Sequence, residues 1–422
     1  MSSFMQRYGK AFGRPQALLL KMTGMSAAEA FAEGAWVTDS NGRRWLDFGS
    51  FGLHLLGHRH PAVVKACIDQ LGQIALSTKV LGNEHATTCA ERLIDSMAAP
   101  MDGVIFANSG AEAIEIALKM ARASTGRQGV LALKRSYHGK SRAALAISDT
   151  LARHALGGAH AADTRFVDPD DTQAILAALT GGAVAAVVVE PVQGEGGIVE
   201  IPADRLAWMA DMCKAHGAIF VVDEIQTGLG RCGAVWAADH GRLQPDIVTA
   251  GKTLGGGVMP LSAVVFARRN LTPVATDPVL HASTFAASPL ATRVGATVVQ
   301  LVQDTAFLTR VRDMGDRVRA ALVARVGHLP GVVDIRGRGL MIGIECLTAD
   351  FAGEVVIEAA KRNLLVTFCL SNPAVIRIYP PAVTTACDLT LGIDALCAAI
   401  QAVGAQGGAL PPTFKETNHA HS

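Results

Sequence analysis

The sequence carries almost no net charge, no paired cysteines and no segment that signals secretion or a membrane span. Its formal net charge is +1 over 422 residues, so nothing indicates a nucleic acid or another polyanion as partner. None of the eight cysteines forms a C-x-x-C pair, so neither a metal site nor a disulfide framework is signalled. The N-terminus lacks the continuous apolar core of a signal peptide, and no run approaches membrane-spanning length. We therefore expect a cytoplasmic protein that does not enter the membrane.

Hydrophobic residues are abundant. They make up 50% of the chain, against 18% charged residues, which is enough for a large domain and a smaller one. Short β-branched runs recur, and each is followed by polar residues and then by a helical pattern. These runs are 104–107, 129–133, 184–189, 218–222 and 247–250. The repetition predicts a doubly wound α/β sheet, mainly parallel.

The sequence pattern changes after about residue 300, where a predicted charged helix precedes predicted strands arranged around glycines. This mixture predicts a smaller α+β domain over 301–422. The large domain is predicted over 56–300, and 1–55 is expected to join the small one. Within that first segment, Asn41-Gly42 between two alternating runs predicts a hairpin with a type I′ turn.

Two charged residues stand at the ends of neighbouring predicted strands. Asp223 follows the run AIFVV, and Lys252 follows the run at 247–250. A lysine in a dry site can lose its proton and attack an aldehyde. A carboxylate nearby can keep a ring nitrogen protonated. Lysine and acid together are typical of pyridoxal phosphate enzymes. Taken alone, however, Asp223 could cap the next segment and Lys252 could be a solvated surface lysine.

The turn Ser109-Gly110-Ala111 opens an amphipathic helix and would present free backbone N–H groups to an anion. It lacks the glycine spacing of a dinucleotide loop and the Gly-Lys-Ser/Thr of a triphosphate loop, so a single phosphate fits better. Tyr137, past another strand, could stack on a flat ring or simply pack half-buried.

Nine motifs, in this order, resemble the class III aminotransferases, which use pyridoxal phosphate and have fold type I. They are LDFGSFGLHLLGHRHP, NSGAEAIEIALKMA, YHGKS, VEPVQGEGG, VVDEIQTGLGRCG, AGKTLGGG, HASTFAASPLA, RGRGLMIGIE and IRIYPP. The resemblance extends from about Trp36 to Pro381. It implies a large domain with a mainly parallel seven-stranded sheet, a smaller α+β domain, pyridoxal 5′-phosphate as cofactor, and a homodimer with shared active sites.

The resemblance also implies roles for single residues. Lys252 resembles the lysine that binds the cofactor covalently, and Asp223 the partner of its ring nitrogen. Further implied cofactor contacts are Ser109, Gly110 and Ala111 at the phosphate, Tyr137 stacked on the ring, His138 and Glu190 beside it, Gln226 at the ring hydroxyl, and Thr284 reaching the phosphate from the neighbouring subunit. The implied substrate residues are Glu195, Arg377 and Lys140. Arg377 would bind an α-carboxylate, and Glu195 would mask that charge when the other substrate has none there.

The substrate prediction depends on Lys140. Relatives acting on ornithine, acetylornithine or γ-aminobutyrate usually carry an arginine there, whereas lysine offers a point charge in place of a planar fork. This lysine, GGGVMP and RIYPP look most like putrescine aminotransferases. The prediction is therefore ping-pong transfer between a terminal amine (a diamine, or a long-chain amine or aldehyde) and 2-oxoglutarate or glutamate.

Three alternatives stay open. The chain could be an aminotransferase of the acetylornithine, ornithine or γ-aminobutyrate type. It could be an amino-acid epimerase of the same fold, although Glu195 with Arg377 favours transfer between two unlike substrates. It could also be a catalytically silent binding subunit, against which the joint presence of Lys252, Asp223 and Gln226 argues.

Overall fold

A computed structural model describes residues 3–150, 153, 155, 163–240, 243–268, 271, 277 and 281–406. The final residues of the predicted C-terminal domain, 407–422, lie outside this part. The described helices are α1 Ser3–Phe12, α2 Arg14–Met22, α3 Pro61–Leu71, α4 Glu84–Asp95, α5 Gly110–Thr125, α6 Arg142–Ala146, α7 Thr172–Thr180, α8 Ala203–His216, α9 Pro289–Val302, α10 Thr305–Val326, α11 Ala349–Lys361 and α12 Ala386–Gln406.

The strands follow the same chain order. They are β1 Glu29–Glu33, β2 Trp36–Asp39, β3 Arg44–Asp47, β4 Gly103–Ala107, β5 Gly129–Leu133, β6 Thr164–Val167, β7 Val184–Val189, β8 Val192–Gln193, β9 Val199–Glu200, β10 Ile219–Asp223, β11 Ile247–Ala250, β12 Ser262–Phe266, β13 Val332–Arg338, β14 Met341–Cys346, β15 Leu364–Leu365, β16 Thr367–Phe368 and β17 Val375–Ile378.

The largest sheet of the described residues has seven strands in the order β4-β12-β11-β10-β7-β5-β6. All neighbouring pairs are parallel except those of β12, which runs antiparallel to β11 and to β4. The prediction of a mainly parallel seven-stranded sheet is confirmed. A short crossover cannot join parallel strands, so helices connect most of them and cover the sheet.

The central strands of this sheet are buried on both faces, which explains why the residues of β7 and β10 are apolar up to the strand ends. Residues of β10 alternate between two cores. Ile219 and Val221 pack under α5, whereas Phe220 and Val222 pack under α8. Burial on both faces leaves only the strand ends for polar side chains. The carboxyl ends of β7, β10 and β11 therefore place their polar residues at one edge.

A second sheet lies in the C-terminal part, with strand order β13-β14-β17-β16. Its core joins α10, α11 and α12 to residues from the N-terminal segment, among them Leu46, Phe48 and Leu55. This is the smaller α+β unit that was expected. The domain boundaries after residues 55 and 300 stay predictions.

The hairpin β2–β3 forms where it was predicted, but the prediction of a type I′ turn is wrong. A type I′ turn needs positive φ at both central residues, and here Gly42 has a φ of 80° while Asn41 is not among the residues with positive φ. The carboxylate of Asp39 accepts hydrogen bonds from the N–H groups of Asn41 and Arg43, at 2.9 and 3.0 Å. This side chain holds the backbone in a longer loop.

Helix α12 corrects the prediction that no run approaches membrane-spanning length. Residues Ala386–Ala405 have a mean hydropathy of 1.5, so by length and composition they could cross a membrane. One side of this helix, including Leu389, Ile393 and Leu396, is buried in the core of the C-terminal unit. A buried core helix has the same composition as a span, so this is weak evidence for membrane insertion.

Gly315 offers a test of the packing between α10 and the turn after β13. A Cβ at this position would overlap the carbonyl oxygen of Gly339, a backbone atom that cannot swing away. We expect Gly315→Ala to lower the free energy of unfolding by about 1–3 kcal/mol. Gly353→Ala is the matched control, because a Cβ there meets nothing within 4 Å. Urea unfolding should find it neutral or up to about 1 kcal/mol more stable. Equal effects of the two substitutions would contradict the packing described.

Candidate active site

A cavity of about 380 Å³ opens at the carboxyl edge of the large sheet. It is lined by Leu53, Asn108, Ser109, Gly110, Ala111, Tyr137, His138, Gly139, Lys140, Glu190, Asp223, Ile225, Gln226, Lys252, Met259, Pro260, Leu261 and Ser262. Most residues singled out in the sequence therefore meet in one place. They come from segments far apart in the chain, and they meet because the strands that carry them are neighbours in the sheet.

Lys252 lies two residues past the end of β11, at the start of the turn Lys252–Gly255. Its φ is 44°, a left-handed conformation that is costly for a residue with a side chain and that clusters at functional sites. The pKa of Lys252 is lowered to about 8, first because burial disfavours the ammonium form and also because of Arg377. The nearby Glu195 acts in the opposite direction. A substantial fraction of this amine is therefore neutral near pH 8.

Asp223 is a buried carboxylate with its oxygens committed to fixed partners. One oxygen, Oδ1, accepts from the hydroxyl of Thr249 at 3.0 Å and from the N–H of Ile225 at 3.1 Å. The other, Oδ2, lies 2.7 Å from Nδ1 of His138. Burial by itself would lower the pKa of His138, but the bond to Asp223 raises it above the ordinary value. These contacts hold the carboxylate in a fixed orientation in the cavity wall.

Glu190 supports the neighbouring turn. Its carboxylate accepts from the N–H of Tyr137 at 2.9 Å and from that of Gly194 at 3.3 Å. Burial, with a smaller effect of Asp223, raises the pKa of Glu190 to about 7. The bond to Tyr137 places that half-buried ring in the cavity wall, where it can stack on a flat ligand.

The N-terminus of α5 forms the anion-binding end of the cavity. Ser109 caps the helix, and its hydroxyl accepts from the N–H of Glu112 at 3.2 Å. The N–H groups of Gly110 and Ala111 have no hydrogen-bond partner among the described residues. Two free donors at the positive end of a helix dipole are suited to a phosphate.

Glu195 and Arg377 form a buried ion pair beside this cavity, although neither lines it. Both side chains are buried, and the second carboxylate oxygen of Glu195 accepts from the N–H of Leu370 at 2.9 Å. Nε and Nη2 of Arg377 have no partner among the described residues. The guanidinium therefore keeps two donors that a carboxylate could use in a fork arrangement.

Like Glu195 and Arg377, Thr284 does not line this cavity. It is exposed and lines a different cavity of about 740 Å³, together with Lys79, His281 and Phe106. Its predicted role is to reach the site of a neighbouring subunit, so a separate position within one chain is what that role requires. The homodimer and the contact of Thr284 stay predictions.

Several site residues were missed in the sequence. Thr249 pairs in register with Asp223 on the adjacent strand, a contact that the order of the strands would have suggested. Ile225 lines the cavity and stands next to Gln226, which was selected. Tyr379 contacts Gln226 from 153 positions away, and no local pattern could have shown that.

Comparison with known proteins identifies the family. The Aminotransferase class-III family matches residues 23–400, so this chain belongs to it. Acetylornithine aminotransferase of Mycobacterium bovis is 36% identical over 384 residues, which cover 90% of this chain and 93% of that protein. The same-named enzyme of Bacillus anthracis is 36% identical over 354 residues, 83% of this chain and 89% of that one.

Solved structures agree. The ornithine aminotransferase from Toxoplasma gondii, whose active site holds pyridoxal phosphate, has a TM-score of 0.83 and 30% identity, with 91% of each chain covered. This chain is therefore a transaminase of fold type I that depends on pyridoxal 5′-phosphate. It takes its amino group from an amine donor and passes it to an oxo acid.

The residues present fit this cofactor. A buried carboxylate, Asp223, stands where a protonated ring nitrogen would be held, and the free N–H groups of α5 stand where a phosphate would be held. Lys252 lines the same cavity, and burial lowers the pKa of its amine to about 8. No group of three or more potential metal ligands occurs in the part of the chain that the structure describes.

The lowered pKa of Lys252 predicts how the cofactor-free protein takes up pyridoxal phosphate. Only the neutral amine can attack the aldehyde, so below pH 8 the rate of covalent capture should rise about tenfold per pH unit and then level off above about pH 8.5. Stopped-flow absorbance measures this rate. A rate that keeps rising to pH 10 would mean that Lys252 is not desolvated. In the control, Lys252→Ala, borohydride treatment followed by denaturation should leave no cofactor on the chain.

Proposed function

We propose that this transaminase takes the amino group from a terminal carbon that bears no carboxylate and passes it to 2-oxoglutarate. The observation that carries this proposal is the buried ion pair of Glu195 and Arg377. While the pair is closed, the guanidinium is neutralised, and a donor without an α-carboxylate can approach. When Glu195 moves aside, Arg377 can bind the α-carboxylate of 2-oxoglutarate. One site can thus accept two unlike substrates in alternation.

The protein residues divide the chemical work. Pyridoxal phosphate, when bound, supplies an electron-poor ring that makes the proton on the amine-bearing carbon removable. Lys252 would hold the cofactor through its side-chain nitrogen, and once the substrate amine had displaced it, the freed neutral amine would carry this proton as general base. Asp223 keeps the ring nitrogen protonated, supported by His138 and Thr249. Tyr137 would cover one side of the ring and exclude water there.

The far end of the amine is proposed to carry a carboxylate, as in N-acetylornithine or ornithine. Two observations support this choice over the predicted diamine. Lys140 is exposed and stands in the cavity wall, where its charge would attract a carboxylate and repel a second ammonium. The curated relatives described above are named acetylornithine aminotransferases, so this alternative now ranks above the diamine. Their names also favour transfer over epimerisation.

A diamine or long-chain amine is the second candidate, because part of the cavity is apolar. Leu53, Met259, Pro260 and Leu261 line it, and an alkyl chain could pack against them. An exposed lysine can turn its ammonium toward water and leave this surface free. The two candidates differ only in whether Lys140 contributes to binding, which makes this residue the point at which to test them.

A comparison of donors tests the substrate. We expect N-acetylornithine or ornithine to convert the bound cofactor with a second-order rate constant about tenfold or more above that of putrescine or a long-chain amine. Lys140→Met should reduce the rate for the amino acids by about tenfold, because it removes one charge contact, and should leave alkyl amines within about threefold. Lys140→Arg is the control that retains the charge. Faster conversion of putrescine, unchanged by Lys140→Met, would establish the second candidate.

The ion pair predicts opposite effects of two substitutions. Arg377→Met should slow the 2-oxoglutarate half-reaction by on the order of 10²-fold, because a charged contact to the carboxylate is lost, and should affect the amine half-reaction far less. Glu195→Gln should do the reverse, since the guanidinium would stay buried without a countercharge when an amine binds. Single-turnover absorbance separates the halves. If either variant lost equal activity in both half-reactions, the ion pair would have no role in the alternation between the two substrates.

A further inference from the structure

Tyr379 lies between the small sheet and the cavity, directly after β17. It is buried, with 3% of its surface exposed. Its backbone N–H donates to the carbonyl oxygen of Phe48 at 2.7 Å. Its hydroxyl donates to Oε1 of Gln226 at 2.9 Å. Tyr379 therefore connects the C-terminal unit to a residue of the cofactor cavity, although it does not line that cavity itself.

The tyrosine ring is held firmly on several sides. The guanidinium carbons of Arg231 and Arg377 lie 5.4 and 5.6 Å from the ring centre, within the range of cation–π attraction. Gly52 packs on the ring so closely that a Cβ there would come within 3.2 Å of it. Arg231 also donates to the carbonyl oxygens of Gly52 and Pro380, at 3.2 and 3.3 Å. The position of the hydroxyl is thus fixed by packing.

The direction of the hydrogen bond follows from the surroundings. Burial raises the pKa of Tyr379 well above its ordinary value, so the phenol keeps its proton across the working pH range. The neighbouring guanidinium groups favour negative charge on the phenol oxygen, which makes the hydroxyl a better donor than acceptor. A hydroxyl that donates selects the carbonyl end of the Gln226 amide.

Because Oε1 of Gln226 accepts from Tyr379, the nitrogen of the same amide remains available to a ligand. Gln226 lines the cavity, and its Nε2 has no hydrogen-bond partner among the described residues. Gly194 closes the space behind it, because any side chain at that position would overlap Oε1 of Gln226. The amide can flip, exchanging its oxygen and nitrogen, only if it loses the hydrogen bond to Tyr379.

We propose that Tyr379 is a positioning residue which orients the Gln226 amide so that its N–H groups point at the phenolic oxygen of bound pyridoxal phosphate. In the opposite orientation the amide carbonyl would face this oxygen, and two acceptors would repel each other. A fixed donor stabilises negative charge on the oxygen. The proposal depends on the cofactor and not on which amine the enzyme uses, so the two can fail separately.

Tyr379→Phe tests the proposal, because it removes only the hydroxyl and keeps the ring between the two arginines. We expect the dissociation constant for pyridoxal phosphate to rise about five- to tenfold, the size of one neutral hydrogen bond. The pH midpoint of the cofactor's visible absorbance should shift by about half a unit or more. Tyr8→Phe, in helix α1 and outside the cavity, is the matched control and should change neither quantity.

A double-mutant cycle separates positioning from a general structural role. If Tyr379 acts through Gln226, then Tyr379→Phe should have little further effect on either quantity in a Gln226→Ala background. Additive effects in the double variant would overturn the proposal, as would a single Tyr379→Phe variant with unchanged dissociation constant and pH midpoint. Melting of the cofactor-free proteins checks the fold, and a loss of binding explained by a matching loss of stability also counts against the proposal.

Discussion

The burial of Asp223 is the constraint on which the rest of the site depends. An isolated carboxylate in the middle of a sheet edge would be strongly disfavoured, and a group in that position takes up a proton unless its charge is compensated. Here Thr249, the N–H of Ile225 and His138 all contact its two oxygens. Because each partner comes from a different segment, the whole edge has to be assembled before this charge is tolerated.

The same requirement explains the arrangement of charges around Asp223. Glu190 and Glu195 are buried nearby, and the basic groups of His138, Arg377 and Lys252 lie among them. Each pKa shift in the site reflects the balance of desolvation against these neighbours: Glu190 is raised, whereas Lys252 is lowered. A site that is dry and charged in this way stabilises charge that develops during reaction, because its groups need not reorganise.

The C-terminal unit contributes more than a cover for the cavity. Arg377 stands on β17 and its partner Glu195 lies between β8 and β9, after the end of strand β7 of the large sheet, so the ion pair joins the C-terminal unit to the segment that follows that strand. Tyr379 makes a second connection two residues further along. One short segment thereby brings both the guanidinium proposed to bind a carboxylate and the hydrogen bond to Gln226 beside the cavity.

Much of this arrangement could be predicted from the sequence because it depends on local patterns. Apolar runs followed by polar residues located the strand ends, and ordered motifs brought Asp223, Lys252 and the turn at Ser109 into one family pattern. The turn at Asn41 shows where a local rule failed: the side chain of Asp39 outweighed the usual preference of Asn-Gly. The substrate prediction relied on Lys140 together with GGGVMP and RIYPP, and it is the one that the relatives support least.

What the sequence by itself determined was which residues end the buried strands, since alternation and β-branching depend only on neighbours in the chain. Which of these ends meet was decided by the tertiary structure. The order of strands in the sheet puts Thr249 beside Asp223, and the packing of the C-terminal unit brings Tyr379 to Gln226. Such contacts join residues distant in sequence, and their energy comes from burial shared by the whole fold, so no local pattern encodes them.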